Sequence, residues 1–412
     1  MKTEKYTNAE KYLQSSGKFR ITLGLERIFA ILDILGNPQD KMKVIHIAGT
    51  NGKGSVSVLT AEILSEAGFK TALYTSPHLF KYNERFKING IDISDEDFSN
   101  YVFQIENLAK KNDIDLSEFE ILTAAAYKYF ADNQVDFAVM ETGLGGRFDA
   151  VNAVEKPFVT AITSISIDHK DRLGDTIEKI AFEKAGIIKN EVPIAVNADN
   201  KGFDVIEKIA SERNARLLFA DKNVEISFEN GVNYAIFDGE KFEFALWGFH
   251  QKQNLSLVLK IVDFIRSCSF EITNENIKSA LKKAFIPARF QYDKTLNRIV
   301  DGSHNADAAL MLRKNLDFYF PDKKRVWIYG TLSTKEYEKV VNILFREGDT
   351  VYLVDFDNKL SVPSEEILSK IHKKNDIFIK IFSKTANTLN FSSNESLTIV
   401  TGSFYMIGDL LG

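Results

Sequence analysis

Residues 44–56 run Val-Ile-His-Ile-Ala-Gly-Thr-Asn-Gly-Lys-Gly-Ser-Val: an apolar β-like stretch, a glycine-rich turn holding one lysine, and the start of a helical pattern. That order suits a nucleoside triphosphate such as ATP. Glycines let backbone N–H groups close on phosphate oxygens, and the helix that follows presents its positive end. Thr50, Asn51, Gly52, Gly54 and Ser55 would form the cradle, with Lys53 reaching the β- and γ-phosphates as a mobile cation. The strict P-loop spacing is not met: Gly49 stands only three residues before Gly52, and Gly54 follows the lysine where a hydroxyl is usual. Glu141 ends a second apolar run and precedes Thr-Gly-Leu-Gly-Gly-Arg, so its carboxylate is expected in the same crevice. A hard divalent cation bridging ATP oxygens takes one or two carboxylates together with waters and hydroxyls.

Such residues need strands to hold them. KVIHIAG, KTALYTS, VDFAVMET, PFVTAITSI and VPIAVNA each read as buried parallel strands. Helical patterns such as SVSVLTAEILSEAG and FEILTAAAYKYFADN lie between them. This alternation predicts an α/β, doubly wound, mostly parallel sheet with ligands at the carboxyl ends of its strands, where Lys53, Ser76 and Glu141 sit. Residues 217–247 carry Asn-Gly and Asp-Gly turn signals and predict antiparallel hairpins appended to that sheet. Helical patterns return over 250–285. After Phe285-Ile-Pro-Ala-Arg the alternation resumes in RIVDGSH, KRVWIYGT, DTVYLVDF and LTIVTGS. We therefore divide the chain into 1–288 and 289–412, the second part a smaller α/β, Rossmann-like domain.

Composition narrows the class. The 412 residues suggest two or three domains, and 44% hydrophobic with 26% charged residues is ordinary globular composition. A net charge of −5 gives no global reason to expect nucleic acid or an anionic membrane as partner. Cys268 is alone, which fits a reducing compartment. MKTEKYTNAEKYLQSS lacks the apolar core of a secretory signal, and no apolar run approaches the roughly 20 residues of a membrane span. A cytoplasmic protein is the expectation.

The chain resembles the folylpolyglutamate synthase/dihydrofolate synthase family within the wider Mur ligase group. Eleven segments carry the likeness in order: LGLERI at 23–28, AGTNGKGS at 48–55, TSPHLFKYNER at 75–85, FE at 119–120, ETGLGGRFDAVN at 141–152, SIDHKDRLGDT at 166–176, EKAGIIK at 183–189, HQKQN at 250–254, ARF at 288–290, DGSHN at 301–305 and TGSFY at 401–405. The resemblance implies a P-loop domain like the central domain of Mur ligases, and amide ligation driven by ATP.

By themselves, Ser76 before Pro77 reads as a turn cap, His169 as a hydrogen-bonded loop residue, and Lys184 as a solvated helix position. The resemblance implies otherwise. It assigns Glu141 and Ser76 to one magnesium ion, and His169 to a second, although histidine is an unusual ligand for so hard an ion. It makes Lys184 a carbamate, an oxygen ligand beside two metals. It gives Asn254 to adenine, Arg289 to the phosphates and Asp301 to the ribose, gripping ATP between domains. Leu23, Gly24, Leu25, Phe119, Glu120, Phe148, Asp149 and Ala150 match segments around the pterin-bearing acceptor, and His304 and Ser403 match the region of glutamate recognition. Two departures stand out: Pro287-Ala288-Arg289 replaces the usual Pro-Gly-Arg, and Ser303 and Ala306 replace the alanine and proline of Asp-Gly-Ala-His-Asn-Pro.

The implied reaction adds L-glutamate to dihydropteroate, to reduced folates, or to both, through an acyl phosphate, releasing ADP and phosphate. A monomer is expected. A Mur-type ligase acting on UDP-muramoyl peptides, a generic P-loop kinase and a non-enzymatic nucleotide switch remain alternatives, separated by whether phosphate release needs both a folate-type acid and glutamate.

Overall fold

The computed structural model describes residues 3–16, 24–372, 377–382 and 395–412; Leu23, expected near the acceptor, lies outside them. Eight strands form the larger sheet: β1 (Lys43–Ala48), β2 (Thr71–Tyr74), β3 (Phe86–Ile88), β4 (Ile91–Asp92), β5 (Phe137–Glu141), β6 (Val159–Ile162), β7 (Ile194–Val196) and β8 (Leu217–Phe219). Their order is β4-β3-β2-β5-β1-β6-β7-β8. All pairs are parallel except those made by β3, so the five runs expected as strands form the centre. The chain moves to one side of β1 on reaching β2 and to the other on reaching β6. The crevice beyond the carboxyl end of β1 is thus a topological switch point, the usual place for a ligand.

Both faces of this sheet are covered, which is why its strands read as continuous apolar runs. On one face the helix Lys53–Glu66 packs against the helices Gln251–Ser267 and Asn274–Lys283 around Ile45, Val139, Leu59, Leu64 and Val262. On the other, helices from the first 132 residues enclose Tyr74, Phe86, Phe98, Tyr127 and Phe130.

Residues 217–247 divide between two sheets. Leu217–Phe219 completes the large sheet in parallel with β7, while β9 (Glu225–Glu229), β10 (Val232–Phe237) and β11 (Glu240–Glu243) form their own antiparallel sheet. The expected turns are present: Asn230-Gly231 and Asp238-Gly239 all have positive φ, as tight hairpins require. These strands are not appended by hydrogen bonding to the large sheet. They pack on the helix Asn274–Lys283, with Ile226, Ala235 and Phe242 joining the helical core.

The remaining sheet has β12 (Gln291–Asp293), β13 (Arg298–Asp301), β14 (Lys324–Tyr329), β15 (Thr350–Val354), β16 (Phe378–Phe382) and β17 (Ser396–Thr401) in the order β12-β13-β17-β14-β15-β16. The four apolar runs expected there are β13, β14, β15 and β17. Edge strands β12 and β16 escaped the pattern because neither is fully buried on both faces. No described helix is long and apolar enough to cross a membrane.

Candidate active site

The phosphate-type loop spans the gap between β1 and the helix Lys53–Glu66. Gly52 precedes the helix with φ 91°, and a Cβ there would come 2.3 Å from Asn254 Oδ1. Only glycine tolerates both the conformation and the approach. The loop is fastened to the segment after β6: Thr50 N donates to Ser164 O at 2.7 Å, and Thr163 Oγ1 donates to Asn51 O at 2.8 Å. Lys53 Nζ turns back on Gly49 O at 3.1 Å and Thr50 O at 3.3 Å. Burial pulls its ammonium below the ordinary range, and the Glu141 carboxylate opposes that. Ser55 Oγ accepts from Gln251 Nε2 at 3.3 Å, and Gln251 Oε1 holds Asn254 Nδ2 at 3.0 Å.

Glu141 ends β5 at the level of Ile47, buried, with Ser76 N donating to its Oε2 at 3.3 Å. Burial pushes its carboxyl up; Lys53 and Arg289 hold it down. A Cβ on Gly54 would lie 3.8 Å from Glu141 Oε2, so the carboxylate faces the start of the helix Lys53–Glu66. Lys184, read locally as solvated, is 3% exposed, and its Nζ donates to Gly49 O at 2.7 Å. Burial, then the charge of Lys53, lowers it to about 7. The Gly-Leu-Gly-Gly-Arg turn presses it inward: a Cβ on Gly146 would meet Glu183 O and Lys184 O, each at 2.8 Å. Asp149, in the same segment, accepts from Leu144 N at 2.8 Å and Val151 N at 3.0 Å. Burial raises it to about 6.

A polar cluster joins the two sheets around Asp168, which was not singled out in the sequence. Lys335 Nζ reaches Asp168 Oδ1 at 2.9 Å and His169 Nε2 at 3.0 Å. His304 Nε2 and Asn305 Nδ2 each approach Asp168 Oδ2 at 3.3 Å, and Asn305 Nδ2 also bonds Asn51 Oδ1 at 3.1 Å. Burial alone would push the Asp168 carboxyl up, but the His304 hydrogen bond and the charges of His304, Lys335 and His169 hold it below the carboxylate range. Lysine has no lone pair when charged, so His169 Nε2 is the acceptor and the ring is neutral. Burial, then Lys335, lowers His169 to about 4. Lys335 lies in none of the eleven segments, and Asn305 closes the DGSHN segment without an assigned role; it also caps the helix Ala306–Tyr319.

Between the sheets, Ala288 takes φ 54° and Phe290 φ 47°, so alanine holds the left-handed conformation that glycine adopts freely. Arg289 lies between them, 4.6 Å over the Phe404 ring. Asp301 is clasped by Phe290 N at 2.7 Å, Ser303 N at 2.9 Å and the Ser303 hydroxyl. The departure at Ser303 thus adds a donor to this carboxylate.

Thr50, Asn51, Lys53, Ser76, Glu141, Lys184, Asn254, Arg289, Asp301, His304 and Ser403 all line one cavity of about 1230 Å³, with Asp168, His169 and Lys335. Gly24, Phe119, Glu120, Phe148, Asp149 and Ala150 line it too. Leu25 instead packs against the N-terminal core. Glu120 carries prior bonds, pairing with Arg27 at 3.0 Å and accepting from Ser117 N at 2.8 Å. Ser403 Oγ caps the last helix, accepting from Tyr405 N at 3.2 Å.

Among the described residues no group of three or more His, Cys, Asp or Glu is arranged to hold a metal ion. Glu141 offers one buried oxygen donor, enough for a hard ion that also takes phosphate oxygens and water. Lys184 cannot ligate as an ammonium, and burial lowers its affinity for the proton.

The Mur ligase middle domain model matches residues 47–262, and that for the C-terminal domain of dihydrofolate synthetase matches 287–412. A Bacillus subtilis dihydrofolate synthase/folylpolyglutamate synthase is 33% identical, with 98% of each chain covered. The structure of Escherichia coli FolC in complex with DHPP and ADP is 27% identical with a TM-score of 0.86, covering 98% of this chain and 96% of that one. The Yersinia pestis bifunctional enzyme complexed with AMPPNP and Mn ion is 29% identical with a TM-score of 0.85, covering 100% and 98%.

Proposed function

Because the chain belongs to the dihydrofolate synthase/folylpolyglutamate synthase family, we propose that its cavity serves both activities, joining L-glutamate to dihydropteroate and to reduced folates. The chain is an ATP-dependent ligase. What supports the site assignment is the convergence of Lys53, Glu141, Lys184, Arg289 and the Asp168 cluster on one cavity at the seam between the two sheets. We take the division of labour to fall at 288/289, with the acceptor and the phosphate-type loop in the first part, glutamate recognition in the second, and ATP gripped between them through Arg289 and Asp301.

In this reading the acceptor carboxylate attacks the γ-phosphate of ATP. Lys53 leaves its own loop carbonyls for the phosphates and, with Arg289, balances the charge that develops on the transferring group. Backbone N–H groups of residues 50–54 orient the chain of phosphates, and Asn254 and Asp301 orient the nucleoside. Glutamate, held near His304 and Ser403, attacks the acyl phosphate through its amino group, forming the amide and releasing phosphate. The seam excludes water, protecting the mixed anhydride. Glu141 with Ser76, and His169 with Lys184 as carbamate, would hold two magnesium ions, which supply charge neutralisation at the triphosphate when bound. The Lys184 amine, lowered to about 7, suits carbamylation near neutral pH.

The test is phosphate release from the purified protein. It should require ATP, divalent metal, glutamate and either dihydropteroate or a reduced folate, with product mass rising by one glutamyl residue. Release independent of glutamate points to a kinase or switch, and release only with a UDP-muramoyl peptide to the other ligase class. Incorporation of labelled bicarbonate as a carbamate carbon signal, lost in Lys184→Met, tests the modification.

A further inference from the structure

Among the described residues, seven side-chain contacts cross between the sheets around Asp168, and they differ in kind. Lys170–Glu336 at 2.8 Å and Lys201–Asp307 at 3.5 Å are solvent-exposed ion pairs, a class that contributes little. Asn305 and His304 reach Asp168 at 3.3 Å, and Asn305 also touches Asn51. Lys335 is different: its ammonium and the Asp168 carboxylate are each only 11% exposed, and it alone spans both Asp168 and His169. It comes from the loop between β14 and the helix Tyr337–Leu344, so it ties the small sheet's strand ends to the segment after β6. That segment in turn carries the phosphate-type loop, through Thr50 Oγ1 on Ser166 O at 3.1 Å and Asn51 O on Ser164 Oγ at 3.1 Å.

We propose that Lys335 is a positioning residue for ligation, acting through Asp168 and His169 to fix the small domain across the phosphate-type loop. The inference rests on the ligase reading above. Acyl phosphate and glutamate amine are delivered from opposite sides of the seam, so their meeting distance depends on how firmly the seam is held. The contact also sets the His169 ring. An ammonium at Nε2 makes that nitrogen the acceptor and leaves the proton on Nδ1, so the contact fixes the ring's tautomer. Nucleotide and acceptor lie mainly on the large-domain side and need the clamp less than glutamate does.

Lys335→Met, Asp168→Asn and the double variant are compared in the full-length enzyme. Displacing reacting groups by about 1 Å can cost on the order of 10²-fold. Lys335→Met is expected to lower kcat/KM for glutamate by about that factor. The ADP dissociation constant, read by fluorescent-nucleotide displacement, should change less than about threefold, and the double variant should be no worse than the poorer single one. Lys335→Arg should recover part of the loss. A Lys335→Met enzyme within about threefold of wild type overturns the proposal. So does a parallel loss of nucleotide, acceptor and glutamate constants with a lowered Tm, which marks a purely structural role. Failure of the wild type to show glutamate-dependent phosphate release would instead remove the ligase reading, and this proposal with it.

Discussion

His46 lies in the middle of β1, between Met140 of β5 and Thr160 of β6, and leads directly into the phosphate-type loop. It is fully buried; Nε2 meets Thr142 Oγ1 at 2.9 Å, and Nδ1 has no hydrogen-bond partner among the described residues. Burial, then the charge of Lys189, lowers the imidazole from 6.5 to about 3. Well above 6.5 the ring is neutral in folded and unfolded chains alike, and the penalty vanishes. Between 6.5 and about 3 only the unfolded chain takes the proton, so stability falls as pH falls. With those two values the loss is about 0.2 kcal/mol at pH 7 and about 2 kcal/mol at pH 5. His46→Gln keeps a polar group for Thr142 but cannot titrate in this range. Denaturant midpoints followed by circular dichroism should therefore show the wild type losing about 2 kcal/mol more than the variant between pH 7 and pH 5, since other ionising groups cancel in the comparison. Parallel pH profiles for the two proteins would refute the reasoning. So would a wild type that gains relative to the variant on acidification.

Removing the charge of Lys53 (Lys53→Met) should reduce kcat by about 10²- to 10³-fold, while unfolding midpoints should barely move, because its hydrogen bonds among the described residues go to its own loop carbonyls. Glu141→Gln abolishes a buried carboxylate and should raise the Mn²⁺ concentration for half-maximal nucleotide binding about 10- to 100-fold, measured by titration of the nucleotide complex. In the small domain, Arg313 and Asp349 form an ion pair at 3.0 Å, 4% and 5% exposed, and Trp327 Nε1 donates to the same carboxylate at 3.0 Å. Asp349→Ala leaves that guanidinium with the exposed Asp317 carboxylate at 4.0 Å and should cost about 3 kcal/mol of stability, read from denaturant unfolding, although the residue lies outside the cavity lining.

The linker shows how a local substitution acquires meaning only in the fold. Ala288 in place of glycine signals reduced backbone freedom, yet its cost depends on conformation. At φ 54° the methyl group crowds the following carbonyl, a strain of about 1–2 kcal/mol, held here by burial of Ala288 and by Gly302 N donating to Ala288 O at 2.8 Å. Ser303 reads as a small polar replacement, and only its contact with Asp301 makes it part of the clasp on that carboxylate.

Local order along the chain determined the central strands, the glycine-rich turn after β1 and the carboxylate ending β5, because hydrophobic period and turn chemistry act over a few residues. The same locality explains its reach in the small domain, where four buried strands are legible and two half-exposed edge strands are not. Tertiary structure decided everything that depends on desolvation or distant pairing. Lys184 is buried because the turn containing Gly146 folds over the end of its helix, and Leu25 turns into a core. Glu120 is pre-engaged by Arg27, over ninety positions away. Asp168 becomes a hub only when Lys335, His304 and Asn305 arrive from another sheet, more than a hundred residues downstream. Proton affinity and counter-charge are set by which surfaces meet, and packing between remote segments, not their own residue pattern, selects those surfaces.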